Sequence, residues 1–164
     1  MIVAAAVQIR LGPPVRNRQT LPDHRWIVSM IIVTDERCTG YSSPGHPQRG
    51  PYVLAVEHKD EAKLLGHVGF SPFDDEVEVS YAIAESSRGR GYGTEALVHA
   101  CNWLADAFAV SRVLALTESA NVISRRLLDR ASFVRVHEAV MMFQGHEQLV
   151  SRYYWHPPGN RSGA

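Results

Sequence analysis

Charge of one sign is what this sequence most conspicuously lacks. Seventeen basic residues balance seventeen acidic ones, which removes the field that a general nucleic-acid binder uses against a phosphate backbone. Any basic patch must be local, and the candidates are Arg88 with Arg90, and Arg125 with Arg126 and Arg130. Cysteine is almost absent too. Cys38 and Cys101 have neither metal-ligand spacing nor the density of a disulfide scaffold, and read as reduced thiols. No apolar run approaches the roughly 18 residues of a membrane span. The apolar opening 2–7 has no basic residue ahead of it and is closed early by Gln8 and Arg10, unlike a secretory leader. Zinc-helix histidine pairs are missing, because His137-Glu138 and His146-Glu147 each lack the second histidine. The expectation is a cytoplasmic protein with no metal, no nucleic acid and no membrane among its partners.

What is present suits one globular domain over 1–164. A chain of 164 residues is long enough to bury a continuous core, and 45% hydrophobic with 21% charged residues leaves no case for disorder or a fibrous repeat. Residues 3–11 read as a strand stopped by Gly12-Pro13-Pro14. Leu21-Pro22-Asp23 starts a helix whose apolar positions are Trp26, Ile27, Met30, Ile31 and Val33. Residues 39–51 are dense in Gly, Pro and Ser and read as a long loop able to shape a substrate mouth. Three strands follow over 52–57, 64–70 and 76–83, separated by short polar gaps that suit an antiparallel meander. In the last of them Glu76, Glu78 and Ser80 alternate with Val77, Val79, Tyr81 and Ile83, giving one polar and one packed face. A helix over 94–108 carries the apolar stripe Leu97, Ala100, Cys101, Leu104 and Phe108. A short strand over 113–117, a helix over 121–131 and two strands over 134–143 and 148–155 complete an α/β order.

Between the third of these meander strands and its helix lies Ser87-Arg88-Gly89-Arg90-Gly91-Tyr92-Gly93-Thr94. Three glycines in five residues let a backbone approach a ligand closely and turn its N–H groups outward. At a helix mouth those amides lack intrahelical partners, and the dipole favours an anion, so the turn reads as a diphosphate cradle. It is not a dinucleotide fingerprint, since Thr94 stands where Gly-x-Gly-x-x-Gly needs its last glycine. It is not a P-loop either, since Gly-Lys-Ser/Thr is missing.

Arg88-x-x-Gly91-x-Gly93 resembles the Arg/Gln-x-x-Gly-x-Gly/Ala signature of the GNAT superfamily of N-acetyltransferases. Glu78-Val79-Ser80-Tyr81-Ala82-Ile83, the run Glu95-Ala96-Leu97 after the turn, and Asn121-x-x-Ser124 with Leu127-Leu128 and Phe133 are similar to the branch of ribosomal-protein N-terminal acetyltransferases. The resemblance covers about 52–143. It implies a mixed, mostly antiparallel sheet that splits between its fourth and fifth strands to admit acetyl-coenzyme A, with helices on both faces. It also implies transfer of an acetyl group to a primary amine, by direct attack in a ternary complex. The amine is a protein N-terminus or a small molecule such as a polyamine or an antibiotic.

Residue by residue, the resemblance places the diphosphate on Arg88, Gly89, Arg90, Gly91, Tyr92, Gly93 and Thr94. The pantetheine arm runs along the backbone of Tyr81, Ala82 and Ile83 as an added strand would. Asn121 reads equally well as a pantetheine contact or as a helix N-cap. Ser124 is the candidate to protonate the departing thiolate. Relatives that use a tyrosine one turn further along have no counterpart here, because that position is Leu128. Glu78 and Glu118 are the candidate general bases, acting through water on the attacking amine. The family's usual glycine before the phenylalanine is Ser132 here, which predicts a strained helix end. The alternative function is a non-catalytic acyl-coenzyme A-binding module that kept the cradle and lost its base. An exposed C-terminal strand is the expected basis of a homodimer.

Overall fold

The computed structural model describes residues 52–58, 61 and 63–159. The strand expected over 3–11, the helix around 26–33 and the loop over 39–51 lie outside the described residues. Strands β1 (Tyr52–Glu57), β2 (Leu64–Phe73) and β3 (Glu76–Ile83) form the expected antiparallel meander. Then come helix α1 (Tyr92–Phe108), strand β4 (Val113–Glu118), helix α2 (Val122–Arg130), and strands β5 (Val134–Phe143) and β6 (His146–Trp155). The sheet order is β1-β2-β3-β4-β6-β5, and all neighbours are antiparallel except β3 with β4.

Two hairpins are tighter than the sequence suggested. β2 runs on through Ser71 and Pro72 to Phe73, leaving Asp74 and Asp75 as the connection. Beyond Phe70 its partners among the described residues are those of β3. The final hairpin turns on Gln144 and Gly145, with φ of 53° and 91°. Two consecutive positive φ values match the twist of the flanking strands, so β6 begins at His146 instead of Gln148.

The register assigns faces. Leu54 pairs with Val68, and Val68 with Tyr81, so these three point the same way, with Val77, Val79 and Ile83 at even spacing from Tyr81. α1 and α2 both pack on this side. Leu97, Ala100, Cys101 and Leu104 of α1 form one buried cluster with Leu128 of α2 and with Val77, Val79, Val113, Ala115 and Tyr153 of the sheet. Each large aliphatic side chain buried there contributes on the order of 1.5–3 kcal/mol. Arg126 and Arg130 face solvent. Burial in the cluster pushes the Cys101 thiol well above its ordinary range, as expected for an inert core cysteine.

Among the described residues the least-paired seam of the sheet lies between β3 and β4. Their parallel pairing has a single bridge, Glu78 with Leu114. On one side of that bridge the seam is pinned. Glu76 Oε1 lies 2.6 Å from Arg112 Nη2, its Oε2 accepts from the Tyr154 hydroxyl at 2.9 Å, and Arg152 Nη2 is 3.5 Å from the same oxygen. The Arg112 guanidinium also stacks 5.0 Å over the Tyr154 ring. A carboxylate this sheltered is held by three partners, two from β6 and one from the residue just before β4. Past Leu114 no further β3–β4 pair is present among the described residues, which leaves the facing backbone edges of the two strands without each other as partners there.

Candidate functional site

Four pieces of chain meet beside the one-bridge seam: the C-terminal half of β3, the glycine-arginine turn, the start of α1 and the start of α2. A single 3-10 turn, Glu85–Ser87, leads from β3 to Arg88. Gly89 and Gly91 then take φ of 76° and 87°, left-handed values that L-residues reach only at a cost. A Cβ built on either would meet nothing within 4 Å, so the space before the turn is open. Gly91 is the N-cap of α1, and the first helical bond runs from the Glu95 amide to the Gly91 carbonyl at 3.1 Å. The helix therefore begins two residues earlier than its periodicity indicated, and the amides of 92–94 fall in its first turn, where no intrahelical acceptor exists.

Gly93 has a different task from its neighbours. A Cβ there would lie 2.7 Å from Leu127 Cδ1 and 3.4 Å from Ile83 Cγ1. The missing side chain lets α1 sit directly against α2 and β3, which places the helix mouth beside that seam. The exposed Arg88 donates from Nε to the Ile83 carbonyl at 3.0 Å, so part of its guanidinium steadies the strand end and the rest remains as countercharge beside exposed Arg90.

On the other side, Asn121 caps α2 by accepting the Ser124 amide on Oδ1 at 3.0 Å. Of the two readings of Asn121, the cap is present in the fold, and its NH₂ group can still donate. Ser124 sits in the first turn of α2, with its Oγ 2.8 Å from the Tyr81 hydroxyl. Tyr81 was expected to act through its backbone. Its phenol spans from β3 to α2, and burial pushes its pKa up to about 12 despite the Ser124 hydrogen bond. Sequence reasoning missed this pair because 43 residues separate its members. The signal available was a tyrosine on the packed face of the strand beside the cradle.

The two candidate bases lie on the opposite face of the sheet. Glu78 is half-buried at the bridge with Leu114, and burial pushes its carboxyl pKa up, favouring the protonated form. Glu118 shares that face by its even spacing from Leu114 and ends β4, its carbonyl accepting the Asn121 amide at 2.9 Å. His67, paired with Ala82, shares the face too, and burial lowers its pKa, so it is neutral at neutral pH. Among the described residues, no three His, Cys, Asp or Glu side chains gather as a metal site, and no helix is long and apolar enough to cross a membrane.

Residues 11–134 match the family model of the acetyltransferase (GNAT) domain. The chain belongs to the GNAT acetyltransferase family. An uncharacterized N-acetyltransferase of Bacillus subtilis, YjdG, is 32% identical over 87 residues, with 51% of this chain and 52% of that protein covered. The chain thus matches about half the length of that relative. Two solved structures share the fold. The ribosomal-protein-S5-alanine acetyltransferase of Vibrio fischeri has a TM-score of 0.59 at 21% identity, covering 66% of this GNAT chain and 63% of its own. The spermidine N-acetyltransferase of Vibrio cholerae in complex with CoA and spermine has a TM-score of 0.58 at 19% identity, covering 65% and 66%.

Proposed function

We propose that this GNAT domain transfers an acetyl group from acetyl-coenzyme A to a primary amine by direct attack in a ternary complex. The observation that carries the reading is the one-bridge seam between β3 and β4, opening beside a helix mouth preceded by two left-handed glycines. The diphosphate rests on the amides of 89–94, with Arg88 and Arg90 as countercharge. Each charge-assisted hydrogen bond contributes about 1.5–3 kcal/mol. The pantetheine arm lies in the groove along 81–83, where the β3 edge no longer pairs with β4, and the Asn121 NH₂ group donates to it. A backbone N–H of β3 polarises the thioester carbonyl and stabilises the oxyanion.

Register sets the chemistry on two faces. Glu78 takes a proton from the attacking amine through a water on one face, and Glu118 stands at the rim of the same face as the alternative base. Ser124 meets the departing sulfur on the other face. The C–S bond breaks with its electron pair on sulfur, and the acetyl carbon passes to nitrogen. The fold neighbours act on a ribosomal-protein alanine and on spermidine, so a peptide N-terminus and a polyamine head the substrate panel. The C-terminal strand β6 lies between β4 and β5 and is not the exposed strand expected to carry a dimer; the proposal includes a cytoplasmic setting and a homodimer formed over β5, the end strand of the described sheet, which exposes Val134, Val136, Val140 and Met142.

The experiment is calorimetry with acetyl-coenzyme A followed by thiol release over a panel of peptides, polyamines and aminoglycosides. Binding with amine-dependent thiol release supports transfer. Binding with no release from any amine leaves a coenzyme A-binding module and overturns the enzyme reading.

A further inference from the structure

We infer that Tyr81 is a positioning residue for the leaving group, acting through Ser124. The inference rests on the acetyl-transfer reading above. Ser124 Oγ has one hydrogen, and its direction depends on what the oxygen accepts. The Tyr81 hydroxyl is 2.8 Å from that oxygen and 3.5 Å from the Ser124 carbonyl, so the phenolic hydrogen has its acceptors on Ser124. A phenol is a better donor and a poorer acceptor than an alkanol, so the inference takes Tyr81 as the donor and Ser124 as the acceptor of this contact. The phenol stays protonated through the neutral range. Ser124 is held at its amide by Asn121 and at its oxygen by Tyr81, and its hydrogen is left to point into the groove.

The pair bridges β3 and α2 beside the one-bridge seam. Where relatives place a tyrosine one turn after the serine, this chain has Leu128, fully buried in the core. A phenolic hydroxyl nevertheless reaches the site from the strand. Donation by Tyr81 polarises the Ser124 O–H, which then makes a stronger hydrogen bond to sulfur as the C–S bond breaks. No net proton transfer from Tyr81 is required. The electron pair remains on sulfur, and the proton that finally neutralises the thiolate comes from the amine by way of the base and solvent.

The test is the ultraviolet titration of the thiol of bound coenzyme A, alongside steady-state kinetics. Tyr81→Phe should raise the bound thiol's pKa and lower kcat about fivefold to tenfold, the effect of one neutral hydrogen bond, with KM for acetyl-coenzyme A unchanged. Ser124→Ala should raise the thiol pKa at least as far, and the double variant no further than Ser124→Ala alone. Replacing Tyr81 by 3-fluorotyrosine, a stronger donor of nearly the same shape, should shift the thiol the other way, and it keeps the test available if Tyr81→Phe does not fold. An unchanged thiol titration in these variants, or losses that add in the double variant, overturns the inference alone. A wild-type protein that binds no coenzyme A overturns the acetyl-transfer reading, and the inference with it.

Discussion

Replacing Gly91 tests the cradle with a change whose cost can be divided in advance. At φ 87° the position is left-handed, so an alanine would combine backbone strain with any effect on ligand. Asn and Asp tolerate this region best among non-glycine residues. A Cβ at Gly91 meets nothing within 4 Å, so both side chains enter the open space that the diphosphate is proposed to fill. The folding cost is then backbone strain alone, at most about 1–2 kcal/mol and similar for the two variants. Binding should separate them. Gly91→Asn displaces the diphosphate from at least one amide, a loss of about 1.5–3 kcal/mol or roughly 10- to 150-fold in affinity. Gly91→Asp adds like-charge repulsion and should abolish measurable binding. Calorimetry with coenzyme A, beside thermal melts, reads both quantities. Unchanged affinity in folded Gly91→Asp would refute the placement of the diphosphate.

Other expectations concern the frame around the site. Ser132 takes φ of 65° at the end of α2, where its amide reaches the Asp129 carbonyl at 3.1 Å and the Phe133 amide reaches the Leu128 carbonyl at 3.0 Å, the double bond of a Schellman ending. Ser132→Gly removes the left-handed cost of about 1–2 kcal/mol and returns about 0.4–1 as chain entropy, so a gain near 0.5–1 kcal/mol is expected in denaturant unfolding. Glu76→Ala should destabilise by roughly 1–3 kcal/mol, because half-buried Arg152, exposed Arg112 and the Tyr154 hydroxyl lose their common acceptor. Equilibrium unfolding checks it, and a neutral result would mean that the seam is not pinned there. Glu78 has a raised pKa in the folded state, so folding favours its proton. Its contribution to stability is fully present below the unfolded pKa and is lost as pH rises through the folded value. Glu78→Gln should therefore be more stable than wild type at neutral pH, an advantage that disappears in acid, while kcat falls. In wild type, activity should decline as pH drops through that raised pKa, and a profile unaltered in Glu78→Gln would transfer the base role to Glu118 or His67.

The parts of this fold legible in the sequence are those written in local pattern. The period-two alternation from Glu76 to Ile83 gave both the strand and its polar face, and the stripe Leu97, Ala100, Cys101 and Leu104 gave the buried side of α1. Boundaries failed where a special backbone conformation intervened. Gly91 caps α1 from a left-handed φ, so the helix starts at Tyr92, and a pair of positive φ values at Gln144 and Gly145 tightens the last hairpin. The second meander strand was expected to end at Phe70, yet β2 continues through Pro72 to Phe73 paired with β3. The cradle was readable because its glycines, arginines and helix are contiguous. The rest of the site was not. The Tyr81–Ser124 bridge and the Glu76 pin join residues 43 and 78 positions apart, and Gly93 could not be recognised as a packing glycine until Leu127 lay against it.

The most direct test of the central claim is a crystal structure of the protein with coenzyme A bound. The account predicts the diphosphate on the amides of 89–94, the pantetheine arm along 81–83 in the groove between β3 and β4, and the sulfur within hydrogen-bonding reach of Ser124 Oγ. A diphosphate bound elsewhere, or a groove left empty by a ligand that binds in solution, would contradict it.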